Sequence, residues 1–538
     1  MHIDIRPVAK LRGPGAVDIP AALGPVFGAL SATEVDLARL RVVCDWIQYR
    51  ANFTEPVACR PVLAEPVRAE PGRAEPGLAE PGLAEPGLAE PGLAEPGLAG
   101  PGSGGRTGEH GRADALSPGR QDGLEIAIDL RRSGEADVAT RLKEALAVPP
   151  GATHPGWVVL EPWVPGSESC IWRFNTLYWQ ALSRWEQSTG REYEQALPGG
   201  QSDARNTAAA AEMIGELFAV WDGLDARHAL PPELYIVELG VGNGSQARTW
   251  LDTFADLDRR HGREYYRRLH YLMGDYSAHV LDRARQAVAH HGDRVNGLVL
   301  DATRPLLTLG FLRGKAFCVY ISNVYDNLPT DELATIGGRP YLVEVRAYLS
   351  DEDAGQISAR HRLPRGGLGV QAERLLRLGP DLLAEAEHET FAGAGQAVAF
   401  WRDVWAALRL QERYVPLEGL DAYQVSPSLT GEILRPLLGS SGDIRMHASN
   451  GALASFEGTL PLLHPFGRLL CHDLFLTDPA QYHAGFYGPG KYDGSVVNWV
   501  NGPLLQLTGN RRGFDVQIGP FSARPGSNVK TLTAQVRD

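Results

Sequence analysis

Apolar positions along the chain change period several times, and each change marks an element. Over residues 31–47, Val35, Ala38, Val42, Val43, Trp46 and Ile47 fall at helical spacing behind Ser31-x-x-Glu34, a pair able to cap a first turn reciprocally. This predicts a helix there. Residues 124–130 alternate as a half-buried strand does, 135–148 return to a helical period, and 157–160 read as a strand. Aromatic-rich helices follow, carrying Trp172, Phe174, Tyr178, Trp179 and Trp185, then a further helix over 207–224. Apolar strands at 235–239, 271–274, 298–300 and 317–321 alternate with helical stretches, and a fifth lies at 468–474. Such alternation predicts an α/β fold whose sheet is mostly parallel, with helices on both faces. Between 350 and 450 a polar stretch holds two helical patches, 371–387, broken at Gly379-Pro380, and 397–410. It reads as a helical insertion into that sheet.

One segment has no helical or strand period at all. Ala-Glu-Pro recurs from Ala64 through Ala69, Ala74, Ala79, Ala84, Ala89 and Ala94, the middle copies reading Ala-Glu-Pro-Gly-Leu without variation. Proline at every fifth position blocks a helix, and one Leu per copy buries too little surface to offset chain entropy. A disordered linker is therefore expected over 63–123. The reading of the whole chain is a small N-terminal α/β accessory unit from 1–62 and 124–165, split by that linker, followed by a domain over 166–538 with its insertion at 350–450.

Composition narrows the function classes. A net charge of −13 disfavours a nucleic-acid backbone as partner, because neutralising phosphates needs a local excess of Lys and Arg. The mildly apolar stretch 19–30 is cut by Pro20, Gly24, Pro25 and Gly28, so neither a signal peptide nor a membrane span is expected. Five scattered cysteines without a C-x-x-C pair fit reduced thiols in the cytoplasm. His464, His472 and His483 follow no ligand spacing, and no metal site is expected.

The chemistry concentrates where the strand 235–239 runs into Gly240-Val241-Gly242-Asn243-Gly244. A glycine turn between a strand and a helix lets backbone approach a ligand at the electropositive helix N-terminus. The spacing is G-x-G-x-G and not the dinucleotide fingerprint G-x-G-x-x-G, and Glu238 stands just before the first glycine. This resembles motif I of class I S-adenosylmethionine-dependent methyltransferases. The resemblance implies a Rossmann-like methyltransferase sheet and S-adenosyl-L-methionine as cofactor, with Gly240, Gly242 and Gly244 against its methionine part and Glu238 at its polar end. Asp275, closing the second strand, is then the candidate for the ribose hydroxyls. Asp301, after the third, is the candidate for the adenine amine. Three acids at successive strand ends converge on one pocket at the carboxyl edge of the sheet.

After the fourth strand the chain reads Asn323-Val324-Tyr325-Asp326-Asn327-Leu328-Pro329. This phrase is similar to Asn-Glu-x-x-Asp-Ala-Leu-Pro of the MidA family, the mitochondrial complex I assembly factor methyltransferases. Residues 216–221 and 467–473 resemble the same family. The resemblance spans roughly 207–349 and 451–521. It departs from the pattern at Val324, which replaces a Glu, at Asn327, which replaces an Ala, and at Leu474, which replaces a Tyr. The phrase is also one residue short. Asp326 is the candidate to orient the methyl acceptor or accept its proton, with Asn323 positioning it. The activity implied is methyl transfer to a nitrogen, arginine included, of a protein substrate. A small-molecule acceptor and a non-catalytic cofactor-binding assembly protein stay open as alternatives.

Overall fold

The computed structural model describes residues 2–5, 24, 27–28, 30, 37–45, 52–64, 121–129, 132, 138–147, 153–193, 207–386, 390–439, 442–483, 487–524 and 526–537. Most of the expected linker, and the capping pair Ser31 and Glu34, lie outside them.

The chain lays down two sheets in alternation. It opens with β1 (His2–Ile5), β2 (Leu40–Asp45), β3 (Val57–Leu63) and β4 (Gln121–Asp129), then α1 (Val138–Ala147). Residues 40–45 are thus a strand, where the apolar spacing predicted a helix. Val42, Val43 and Cys44 are all fully buried, so both faces of the segment are covered. A strand buried on both sides loses its alternation and becomes indistinguishable by period from a short helix. β3 and β4 pair antiparallel, bringing Leu63 opposite Gln121. The segment 64–120 therefore leaves and re-enters the fold at neighbouring points.

Next come the aromatic helices α2 (Cys170–Gln180) and α3 (Leu182–Thr189), then α4 (Thr207–Asp225). The central sheet follows: β5 (Leu234–Leu239), α5 (Ser245–Arg260), β6 (Leu269–Asp275), α6 (Ala278–Ala287), β7 (Val295–Val299) and β8 (Ala316–Ser322). The chain then returns to the other sheet with β9 (Glu332–Ile336) and β10 (Arg339–Leu349). The helices α7 (Asp351–His361), α8 (Leu368–Ala386) and α9 (Ala394–Ala407) come next, then β11 (Arg409–Pro416) and β12 (Ile444–His447). It closes the central sheet with α10 (Asn450–Thr459), β13 (Leu463–Asp473), α11 (Gly502–Arg511), β14 (Phe514–Pro520) and β15 (Lys530–Val536). In α8 the backbone breaks at Gly379, φ 79°, just before Pro380, as the sequence suggested.

The inserted segment is not purely helical. Its strands β11 and β12 join β9 and β10, which precede it, and the N-terminal strands in a single sheet, ordered β1-β2-β4-β3-β11-β10-β9-β12, with Tyr414 of β11 opposite Val62 of β3. The N-terminal strands are therefore continuous with the insertion, because the exposed edge of β3 finds its partner there.

The central sheet runs β7-β6-β5-β8-β13-β15-β14, parallel except for β15, which is antiparallel to both neighbours. Alternate side chains of its strands feed two cores. Ile236, Tyr271 and Met273 meet Trp221, Trp250 and Phe254 of α4 and α5 on one face. Val237, Val319 and Leu469 meet Leu453, Phe456 and Leu504 of α10 and α11 on the other. Helices thus cover both faces. Strand order reverses between β5 and β8, and a crevice opens there at the carboxyl ends. No helix among the described residues is long and apolar enough to cross a membrane.

Candidate active site

At that crevice β5 ends in the glycine turn. Gly240, Gly242 and Gly244 have φ of 75°, 57° and 80°, in the left-handed region where a side chain is strained. Space is short as well. A Cβ on Gly240 would collide with Val324 Cγ2, one on Gly242 would lie 2.8 Å from Tyr193 Oη, and one on Gly244 2.7 Å from the Ala284 Cα. The N–H groups of Gly240 and Val241 both donate to the Gly274 carbonyl, at 2.8 and 3.2 Å, which ties the turn to β6.

The three acids all line one cavity of about 890 Å³, but in different states. Glu238 is 2% exposed and accepts a 2.6 Å hydrogen bond from Tyr271 Oη; burial pushes its carboxyl up to about 8. Asp275 accepts from the backbone N–H of Ser277 at 3.0 Å and of Gly242 at 3.4 Å, and burial raises it to about 6. Asp301 is exposed, and its Oδ1 accepts from Thr303 N–H at 2.8 Å and Thr303 Oγ1 at 2.7 Å. It caps its own loop while reaching the cavity.

The opposite wall comes from the turn after β8. Asn323 adopts φ 51°, which Asn tolerates better than most residues, and donates its N–H to the His472 carbonyl at 3.0 Å. Asp326 is buried, and Asn327 Nδ2 donates to its Oδ1 at 2.7 Å. Burial and the neighbouring Asp473 carboxyl hold Asp326 well above the usual carboxylate range. Asp473, itself raised to about 6 by burial, accepts from the N–H groups of Val324 (3.0 Å), Tyr325 (2.8 Å) and Leu474 (2.8 Å). It therefore fixes the turn that carries Asn323 and Asp326. Asp326, the candidate to orient the acceptor or accept its proton, is thus biased towards its protonated form by burial and by Asp473.

Aromatic groups complete the cavity. Trp172, Tyr178 and Trp179 of α2 line it, with Tyr193 and Trp499. Asp493 accepts from Tyr178 Oη at 3.2 Å and Trp185 Nε1 at 2.9 Å, anchoring the aromatic helices to the strand-rich C-terminal segment. Asp473, Tyr193 and Trp499 were not singled out as site residues from the sequence. The helical spacing of Trp172, Thr176 and Trp179 was the signal for the α2 face. His464, His472 and His483 join no metal-ligand cluster among the described residues. All five cysteines are free thiols.

Among known proteins, a GLTT repeat model matches six copies over residues 74–102. No curated protein matches the chain. Several solved structures are similar to the chain at low scores. A Burkholderia thailandensis protein bound to S-adenosyl-homocysteine is similar at TM-score 0.41 and 13% identity, covering 69% of this chain and 88% of that one. An O-methyltransferase family protein from the same organism is similar at 0.29 and 11% (67% and 64% covered), and the CcbJ methyltransferase from Streptomyces caelestis at 0.27 and 12% (63% and 99% covered).

Proposed function

We propose that the chain is an S-adenosyl-L-methionine-dependent methyltransferase acting on a nitrogen acceptor. The observation that carries this reading is the convergence on one cavity, at the strand-order reversal, of a glycine hollow that no Cβ could share and three carboxyls at successive strand ends. The strand order agrees with the dinucleotide fold through five strands, then inserts the antiparallel β15 before β14. The hollow, with Glu238 behind it, suits a charged amino-acid group; Asp275 suits a ribose diol and Asp301 an exocyclic amine. When bound, the cofactor supplies a methyl group on a cationic sulfur.

The protein's own contribution is alignment and fixed polar groups around the reacting atoms. Asn323 and Asp326 offer hydrogen-bonding groups on the acceptor side, held in register by Asp473. With its proton shared, Asp326 orients the acceptor and does not deprotonate it. A neutral amine needs no base before attack, and its product sheds a proton to water afterwards. The aromatic wall favours an acceptor whose flat or apolar part packs on its ring faces. A protein side chain and a small amine both present this chemistry, and the aromatic lining favours the small amine as the second reading. Reduced thiols fit a cytoplasmic setting.

The test is calorimetric titration of the purified chain with S-adenosylmethionine and its demethylated product, then incubation with methyl-labelled cofactor and cell extract. Label in protein or in small molecules assigns the acceptor class. Affinity without transfer would select the non-catalytic binding protein, and no affinity for either compound overturns the reading. Asp326→Ala is expected to leave cofactor affinity within about twofold while lowering turnover by roughly 10–100-fold.

A further inference from the structure

On the far side of α5 from the cavity-facing turn, three ligating groups meet. Asp252 projects from α5, and His290 and His291 come from the helical turn (Ala289–Arg294) between α6 and β7. One ligand atom from each lies within 4.8 Å of the others. Asp252 Oδ1 is 2.8 Å from His290 Nε2 and 3.3 Å from His291 Nε2, and the two imidazole rings are 4.0 Å apart between centroids. Ligand bonds of about 2.0–2.1 Å in a tetrahedron give ligand-to-ligand edges of about 3.3–3.4 Å, so these atoms reach a common metal ion with small side-chain adjustments.

A second observation singles the cluster out from an ordinary surface ion pair. His291 is 4% exposed, and its Nε2 points at Asp252 Oδ1, 3.3 Å away, its one partner among the described residues. Its other nitrogen, Nδ1, is 2.6 Å from Tyr266 Oη. With the proton on Nδ1 and donated to that oxygen, Nε2 carries a free lone pair, the second-shell arrangement that orients histidine ligands. Arg248 Nε lies 3.7 Å from the other carboxylate oxygen of Asp252, leaving Oδ1 to the cluster.

We propose that Asp252, His290 and His291 form a binding site for one divalent transition-metal ion of the zinc type, its remaining position filled by water. Two imidazoles and one carboxylate select such an ion over calcium or magnesium, which prefer all-oxygen shells. The ion would staple α5, which begins at the glycine turn, to the turn following α6, whose Ala284 packs against Gly244. The site is independent of the methyl-transfer reading.

Metal-stripped full-length protein titrated with zinc(II) alone should take up one equivalent and melt at a higher temperature, whereas magnesium(II) should do neither. Cobalt(II) should give the visible absorption of a four-coordinate site. Tyr266→Phe should weaken zinc binding about 10–100-fold. Asp252→Asn and His290→Gln, both at exposed positions and checked for native circular dichroism, should weaken it at least as much, while His464→Gln should not alter it. Absence of saturable zinc binding overturns the proposal, as does one-equivalent binding that survives both Asp252→Asn and His290→Gln.

Discussion

Glu238 carries its proton in the cofactor-free protein at neutral pH, since burial sets its carboxyl near 8 and only Tyr271 Oη supports its charge. The sign of the consequence is fixed. Above the ordinary carboxyl value the folded form holds a proton that the unfolded form has lost, so this group's contribution to stability falls as pH rises from about 4.5 towards 8. A cationic ligand group docking there should expel the proton. Affinity for S-adenosylmethionine is therefore expected to rise with pH up to about 8 and then level, with proton release visible as a buffer-dependent binding enthalpy; Glu238→Gln should flatten both. A second expectation at this scale concerns the glycines. Gly262 also has positive φ (65°) but open space around it, so Gly262→Ala should cost about 1 kcal/mol in urea unfolding. Gly244→Ala adds a backbone collision with Ala284 and should cost about 2–4 kcal/mol. The turn and its acids were legible in the sequence because local spacing sets them. The proton state of Asp326 was not, because it depends on Asp473, which only folding brings alongside.

Elements of the central sheet were readable for a related reason: a parallel strand buried between helix layers is a short apolar run bounded by turns. β2 was misread because its length and burial on both faces erase that distinction. The second sheet hid more. Its strands look polar because they carry a ladder of buried charges. Arg60 of β3 meets Glu125 of β4 at 2.9 Å and also Glu412 of β11; Arg445 of β12 meets Glu412 at 2.7 Å and also Glu332 of β9. All five side chains are at most 8% exposed, so the ladder crosses the second sheet out of reach of water. The two flanking arginines lower the Glu412 pKa, although burial works against them. Removing that charge leaves Arg60 with Glu125 and Arg445 with Glu332, each short of one carboxylate in a dry sheet. Glu412→Gln is expected to cost about 3–5 kcal/mol by chemical denaturation, far more than losing an exposed pair such as Arg173 with Glu373.

At the scale of the whole molecule, the central sheet supplies the cofactor side of the cavity. Aromatic helices and the C-terminal segment supply the rest. The N-terminal strands extend the second sheet and do not line the cavity. The pentapeptide tract falls in the chain between β3 and β4, whose ends Leu63 and Gln121 are neighbours. The entropy of closing a loop grows slowly, by about 0.6 kcal/mol for each doubling of its length. Replacing residues 66–118 with a short turn should therefore raise stability by about 2 kcal/mol and leave cofactor affinity unchanged, as thermal unfolding and calorimetry would report. Each added or lost Ala-Glu-Pro-Gly-Leu unit alters the fold's free energy by less than thermal noise. The copy number is thus a near-neutral variable, free to expand or contract in steps of five residues while both sheets keep their pairing.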